Sequence, residues 1–469
     1  MSRNEPITQR RPGQDRLTDP GTSFLLTDLY QLAMMQGYLE AGETGTAVFE
    51  FFVRKLPENR NFLVAAGLEQ VLDFLENLHV PDDELAWLSA SGHVSDDLID
   101  YLRDFRFTGD VHAMPEGTVF FPNEPIIRIT APLPEAQYVE TRLINILHFQ
   151  TLIATKAARM VNAAKGRTLV DFGLRRAHGA EAGLMAARAA YLAGFDGSAN
   201  VLAERVYGVP AFGTMAHSFV QAFDTETAAF EAFARARPRR LVLLIDTYDT
   251  EEGARRVVSL APRLKESGIT VSGVRLDSGD MAALSKSVRR ILDDGGLPDV
   301  TIFASGGLDE TRIGDLIASG AVIDGFGVGT SLTTSSDAAA LDCAYKLQEY
   351  AGIPRRKRSE GKATWPGRKQ VWRRHDGQGR MVADFISVQD DDQDGSALID
   401  CVMQNGKRLA PPNSLDEIRG HMSGQIKSLP NDMAGLGAAG HYPVSVAKAL
   451  TDLAASVDRR IDRSLGMAP

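Results

Sequence analysis

The chain has 469 residues, with 51 Lys and Arg against 61 Asp and Glu, a formal net charge of −10, and 44% hydrophobic residues. That composition suffices for ordinary buried cores, and at roughly 150 residues per domain it predicts about three domains, or two where one is a large α/β barrel. The acidic balance argues against a general nucleic-acid binder, which needs a basic face, and no apolar run approaches the ~20 residues that span a bilayer; one local basic pocket for a small anion remains compatible with it.

Residues 1–20 are polar, carry Pro and Gly, and have no apolar core, so they predict a flexible tail. Glu5, Asp15 and Asp19 count against a transit peptide, and the expected location is cytoplasmic. Residues 21–140 read as an α+β domain. TDLYQLAMMQGYLEAG (27–42) has helical spacing and Thr27 or Asp28 as cap, TAVFEFFVRKLP alternates as a strand, 62–79 reads as a helix, and 105–130 gives short strands broken by Gly and Pro.

From about Thr168 the texture changes to apolar strands alternating with helices. The strands are TLVDFG (168–173), PAFGTM (210–215), LVLLIDTYD (241–249), TVSGVRLDSGD (270–280), TIFASGG (301–307) and VIDGFGVGT (322–330). This βα rhythm over 141–340 predicts a parallel sheet covered by helices, as a complete or partial β/α barrel or as a doubly wound sheet. After Ser335, DAAALDCAYKLQEYAG is expected to lead out as a helix. KQVWRRHDGQGRMVADFISV then reads as a hairpin turning at Asp376-Gly377 and returning, within 341–410, to the N-terminal sheet. Residues 411–469 form a C-terminal extension ending in an amphipathic helix near 443–463. Cys343 and Cys401 are too few and too far apart for a zinc site or a disulfide framework, and read as two reduced thiols.

Each parallel strand ends in polar or Gly-rich residues, and ligands of such sheets bind at the carboxyl ends of the strands. Those ends bring Arg175, Arg176, His217, Asp246, Asp249, Arg275, Asp277, Ser278 and Asp280 towards one opening, with two Gly-rich loops, Ser305-Gly306-Gly307 and Gly327-Val328-Gly329-Thr330-Ser331. Glycine admits a phosphate to backbone N–H groups, and late strands are where barrels hold phosphate, although tight turns use the same residues. There is no Walker motif and no GxGxxG after a first strand. Carboxylates beside phosphate call for a cation between them, which points to Mg²⁺. Asp246 and Asp277 suit that role, while Asp249 and Asp280 serve equally well as helix caps. His217, at a strand end, suits a general base or a nucleophile towards a phosphoryl group. Ser218 and Ser278 lie in no GxSxG elbow, and His148 and His178 read as structural.

In order, LLTDLYQLAMMQGYL, VFEFFVRKLP, DFGLRRAHG, GFDGSANVLA, GTMAHSF, IDTYDT, GVRLDSGD, ASGGLDE, DGFGVGTSL and GRKQVWR resemble the nicotinate phosphoribosyltransferase family, from about Phe24 to Arg374. The resemblance implies a type II phosphoribosyltransferase: an irregular β/α barrel plus an α+β sandwich domain built from N-terminal and post-barrel segments, in a head-to-tail homodimer. It implies condensation of nicotinate with phosphoribosyl pyrophosphate to nicotinate mononucleotide and pyrophosphate, coupled to ATP, with Mg²⁺, in NAD salvage. His217 matches the histidine that ATP phosphorylates. Phe172 and Tyr30 match the aromatics that sandwich the pyridine ring, Tyr30 coming from the partner subunit. Arg175 matches the arginine beside the ring, with Arg275 as second candidate for the carboxylate. Asp246, Arg275, Asp277 and Ser278 match groups around ribose, phosphate and base, and Gly306, Gly307, Gly329 and Thr330 match the 5′-phosphate cradle. Where nicotinamide-using relatives carry an aspartate, Ala199 stands here, which favours a carboxylate-bearing base.

Two segments go unexplained by the resemblance. Arg355-Arg356-Lys357-Arg358 reads as a solvated loop or as a contact with phosphates or the ATP site, and the last ~60 residues receive no role. The competing readings are a nicotinamide enzyme, a quinolinate enzyme, a sugar-phosphate lyase or isomerase, and a non-catalytic sensor. The quinolinate enzyme would need more clustered Arg and Lys than the motifs show. The intact set of His217, Asp246, Arg275, Asp277 and Ser278 argues against the sensor.

Overall fold

The computed structural model describes residues 20–430 and 432–466, so the tail expected over 1–20 lies, but for Pro20, outside the described residues. Six parallel strands form one sheet, in the spatial order Gly197–Ser198, Thr168–Asp171, Gly325–Val328, Thr301–Ser305, Val271–Leu276, Leu241–Leu244. The sheet curls into half of a barrel. The strand expected over 210–215 shrinks to one bridge between Ser198 and Ala211. Its covering helices bury one face each. In Met281–Asp294 the buried residues Met281, Ser285, Val288 and Leu292 recur at helical spacing, and each fully buried aliphatic side chain contributes about 1.5–3 kcal/mol.

The second layer system is antiparallel. Strand Thr46–Val53 lies between Pro125–Pro132 and Cys343–Tyr350, and Asp110–Ala113 and Asp400–Gln404 extend the sheet on one side. Seven of the eight residues of Thr46–Val53 are buried, because both of its faces are covered. The helix expected over 337–352 is therefore corrected: Cys343–Tyr350 is a strand. Its Ala-rich approach favours helix, but Tyr345 stacks on Phe49 (centroids 4.9 Å apart) and donates to the Ala136 carbonyl at 2.7 Å. Pairing with a strand nearly 300 residues away overrides local propensity. The helix expected over 62–79 is likewise shorter, Leu68–Glu76, and follows a two-residue strand, Leu63–Val64.

The hairpin forms as expected, Lys369–His375 against Met381–Val388. It does not join the N-terminal sheet; it builds a separate one with Ser396–Ala397 and Val444–Val446. The segment that returns to the N-terminal sheet is Asp400–Gln404. A buried quartet holds the hairpin sheet. Arg373 donates to both oxygens of Asp384, Tyr442 donates to Asp384 Oδ1 at 2.9 Å, and Glu124 sits close enough to Asp384 that burial and this neighbour push its carboxyl well above the usual range.

Helix Glu140–Ala164, 25 residues long and buried along most of its length, runs between the two systems. The basic segment resolves as a clasp on the last helix, Lys448–Ser464. Arg356 pairs with Asp458 at 3.0 Å, Arg358 with Asp462 at 2.6 Å, and Arg460 returns a hydrogen bond to the Pro354 carbonyl. Cys343 and Cys401 are free thiols. Among the described residues no helix is long and apolar enough to cross a membrane.

Candidate active site

The strand order sets the site out in a row. Reading along the carboxyl edge of the half-barrel, the residues that follow the strands are Ala199, Phe172, Gly329, Gly306, Asp277 and, just past Leu244, Asp246. Asp171 pairs with Ser198 across the first two strands, so Phe172 and Ala199 leave the sheet side by side. Ala199 is exposed, and its N–H donates to the Asp171 carbonyl at 2.7 Å.

Phe172 lies flat along the backbone of the neighbouring strand. A Cβ on Gly327 would fall 2.4 Å from the Phe172 ring, so only glycine fits there. Above the ring sits Arg275, with its guanidinium carbon 5.9 Å from the centroid. Arg275 donates to Thr214 Oγ1 and to the Met215 carbonyl, its Nη2 is 3.7 Å from Asp277, and its buried Nε has no partner. Burial pulls its guanidinium pKa down, Asp277 and Asp246 hold it up, and Arg175 lowers it further. Arg175 itself is exposed, on the 3₁₀ turn Leu174–Arg176.

At the other end, Asp246 Oδ2 accepts from the Asp277 N–H at 2.8 Å and from Ser278 Oγ at 2.7 Å, while its Oδ1 is buried without a partner. Asp277 Oδ1 accepts from Ser305 Oγ at 2.5 Å. His217 opens the helix His217–Gln221; its Nδ1 meets Thr247 Oγ1 at 3.2 Å, and its Nε2 is 3.9 Å from Asp277 Oδ2. Side chains of both His217 and Asp277 are about one-third exposed (38% and 34%). A pair that exposed contributes about 0–1 kcal/mol, too little to explain it as a stability device.

Gly306 has φ +94°, and a Cβ there would meet the Asp277 carbonyl at 2.1 Å; Gly307 beside it faces open space. Gly329 and Thr330 lead into the short helix Thr330–Thr333. Asp249 and Asp280 resolve as caps. Asp249 accepts from the Glu252 N–H at 2.8 Å, and Asp280 from those of Ala282 and Ala283 at 3.1 Å. His148 is structural, its Nε2 accepting the Leu341 N–H at 2.9 Å, and His178 is exposed.

Tyr30 stands apart. It is 48% exposed on helix Leu29–Ala41, its hydroxyl donates to Glu140 at 3.5 Å, and among the described residues it makes no hydrogen bond or ring contact with the cluster around Phe172. Sequence reasoning passed over Thr214, Thr247 and Asp171, which hold the cluster in place together with Ser305 of the first Gly-rich loop. Asp171 is fully buried, accepts from Ser198 Oγ and the Gly173 N–H at 2.7 Å each, and burial raises its carboxyl to about 6. Its one available signal was a carboxylate ending an apolar strand immediately before Phe172. Among the described residues no group of three or more His, Cys, Asp or Glu is arranged to hold a metal ion.

Comparison with known proteins decides the family. Residues 25–148 match the nicotinate phosphoribosyltransferase N-terminal domain, 167–353 the nicotinate phosphoribosyltransferase family, and 392–454 the nicotinate phosphoribosyltransferase C-terminal domain. Nicotinate phosphoribosyltransferase pncB2 of Mycobacterium tuberculosis is 51% identical over 90% of this chain and 91% of its own. The chain belongs to the nicotinate phosphoribosyltransferase family. The Bacillus subtilis nicotinate phosphoribosyltransferase is 42% identical over 78% of this chain and 76% of its own. In structure, human nicotinic acid phosphoribosyltransferase superposes with a TM-score of 0.83 and 28% identity, over 92% of this chain and all of that one. A nicotinate-nucleotide pyrophosphorylase from Pyrococcus furiosus superposes with a TM-score of 0.73 and 27% identity, over 89% of this chain and 99% of that one. The family's C-terminal domain accounts for most of the stretch past 411 that carries no motif of its own.

Proposed function

We propose that this protein joins nicotinate to phosphoribosyl pyrophosphate, giving nicotinate mononucleotide and pyrophosphate for NAD synthesis, and that ATP drives the reaction through a phosphoryl group on His217. The observation that carries the reading is the row at the sheet edge: an aromatic face with an arginine over it, then glycine loops, then carboxylates beside a histidine. The pyridine ring stacks on Phe172, and Arg275, with Arg175 outside it, meets the carboxylate. Ala199 beside Phe172 adds no negative charge to repel that carboxylate. The 5′-phosphate rests on Gly306, Gly307, Gly329 and Thr330.

As pyrophosphate leaves C1 of the ribose, positive charge grows on the ring, and the fixed carboxylates of Asp246 and Asp277 favour it. Ser278 and the Asp277 N–H hold Asp246 in place, and Ser305 holds Asp277. Thr247 orients the imidazole of His217. The unpartnered Oδ1 of Asp246, with Asp277 close by, fits Mg²⁺, which takes one or two carboxylates and otherwise phosphate oxygens; when bound it neutralises the leaving pyrophosphate. The exposed Tyr30, and Val201 at 72% exposure, suit a second copy packed head to tail, with Tyr30 closing the partner's pyridine slot.

The deciding assay is product formation from nicotinate and from nicotinamide, each with and without ATP. The expected result is nicotinate mononucleotide, with turnover raised by ATP in the wild type and unaffected by ATP in His217→Ala. Turnover of nicotinamide instead of nicotinate overturns the substrate assignment. Equal ATP stimulation in the wild type and His217→Ala overturns the phosphohistidine.

A further inference from the structure

Behind the two glycine loops lies a charged cluster that the reaction itself does not use. Helix Glu140–Ala164 supplies Lys156, whose side chain is 2% exposed. Its ammonium reaches Glu310 Oε2 at 2.6 Å and Asp337 Oδ1 at 2.8 Å. Arg159 adds a bond to Glu310 at 3.1 Å. From the N-terminal domain, the fully buried Arg60 donates to both oxygens of Asp337 at 3.0 Å and to Ser335 Oγ at 2.6 Å. The two cations hold the Asp337 carboxyl far below its ordinary range.

The partners of these cations are placed with regularity. Glu310 follows the Ser305-Gly306-Gly307 loop by three residues, and Ser335 follows Thr330 by five. Ser335 is buried at φ +44°, a conformation a non-glycine residue holds only when its surroundings enforce it. Between them, Thr333 Oγ1 donates to the Gly173 carbonyl at 3.5 Å, so the same segment touches the turn after Phe172. Three cations face two carboxylates, leaving one excess positive charge; Arg60, Lys156, Arg159 and Glu310 are buried, where screening is weak, while Asp337 opens to solvent.

We infer that Lys156, with Arg60, is a positioning residue for the phosphate cradle: it locks both glycine loops to one helix and leaves a net positive field behind them. This rests on the phosphoribosyl-transfer reading. The role differs from simple stabilisation because it singles out the anion. Lys156→Met is expected to raise KM for phosphoribosyl pyrophosphate about tenfold or more, with kcat and KM for nicotinate within threefold, and Lys156→Arg to recover most of the loss. Ser335→Ala, which removes only the hydroxyl that Arg60 grips, is the milder second variant, with an expected two- to fivefold rise. Affinity for inorganic phosphate, measured by calorimetry on the whole protein, reads the cradle whether or not the enzyme turns over. Loss of phosphate affinity in step with KM supports the assignment. Folded variants whose phosphate affinity and KM stay within twofold of wild type overturn it, as does an equal fall in every parameter. A wild type that binds phosphate but makes no nucleotide instead overturns the transferase reading.

Discussion

Two clusters of the same residue types behave in opposite ways. At the edge of the half-barrel, Asp246, Arg275, Asp277 and His217 keep unused valences: Asp246 Oδ1 and Arg275 Nε have no partner, and His217 and Asp277 are about one-third exposed. Under the hairpin sheet, Arg373 and Asp384 are both fully buried and bonded on all sides, with Gln425 and Tyr442 completing them. The first arrangement is poor at stabilising a fold and ready to meet a ligand. Apart from the buried Glu124 Oε1, the second has nothing left to offer a ligand, and it is expensive to break. Saturation, more than residue type, separates a site from a strut.

That contrast can be broken in both directions. Arg373→Met is the largest expected effect. It strands two carboxyls, Asp384 and Glu124, and should lower unfolding free energy by about 3–5 kcal/mol, read as a shift of the urea midpoint, while molecules still folded keep their kcat.

Asp171 tests the ground between the clusters, since it is buried like a strut but adjoins Phe172. Its folded carboxyl titrates at about 6 against an ordinary 3.8. The raised value means that the native state holds the proton longer than the unfolded chain does. Stability at this group is therefore intact below about pH 4 and falls as pH rises towards 6, by about 3 kcal/mol in all. In Asp171→Asn that loss is absent, so the difference in unfolding free energy between variant and wild type should move in the variant's favour by that amount between pH 4 and pH 7. A difference independent of pH would show that Asp171 is ionised throughout.

Asp277→Asn should cut kcat about 100-fold, equivalent to about 2.7 kcal/mol, and leave the urea midpoint almost unmoved. A large loss of stability would make Asp277 a strut after all. Smallest is Asp249→Ala. As a cap alone it should cost about 1 kcal/mol of stability and leave kcat within twofold, so a 100-fold loss of activity would return Asp249 to the site.

The sequence is explicit about the site wherever strand ends carry chemistry, because a parallel sheet always delivers those ends to one edge. It is ambiguous wherever one residue serves two purposes. Asp249 and Asp280 resemble Asp246 and Asp277 in the chain, and only the helix beginning directly after each pair member reveals the cap. Partners supplied from a distance leave no local trace: nothing near Thr214 announces Arg275, and nothing near Cys343–Tyr350 announces the strand 290 residues earlier that makes it a strand. The hairpin is legible through its Asp-Gly turn, but its choice of sheet depends on Val444–Val446, far downstream.

That long-range pairing has a consequence for how the chain is made. Strand Thr46–Val53 finds its neighbour Pro125–Pro132 early, yet its other flank stays bare until Cys343–Tyr350 emerges. At about 5–20 residues per second, that wait on the ribosome lasts on the order of tens of seconds. The parallel half-barrel is complete by Val328, so it folds beside a half-finished sheet whose open flank is almost wholly apolar. For this protein, then, a translational stall before residue 350 exposes a sticky nascent edge, whereas a stall after it leaves the hairpin sheet, the outer strand Asp400–Gln404 and the last two helices to be added.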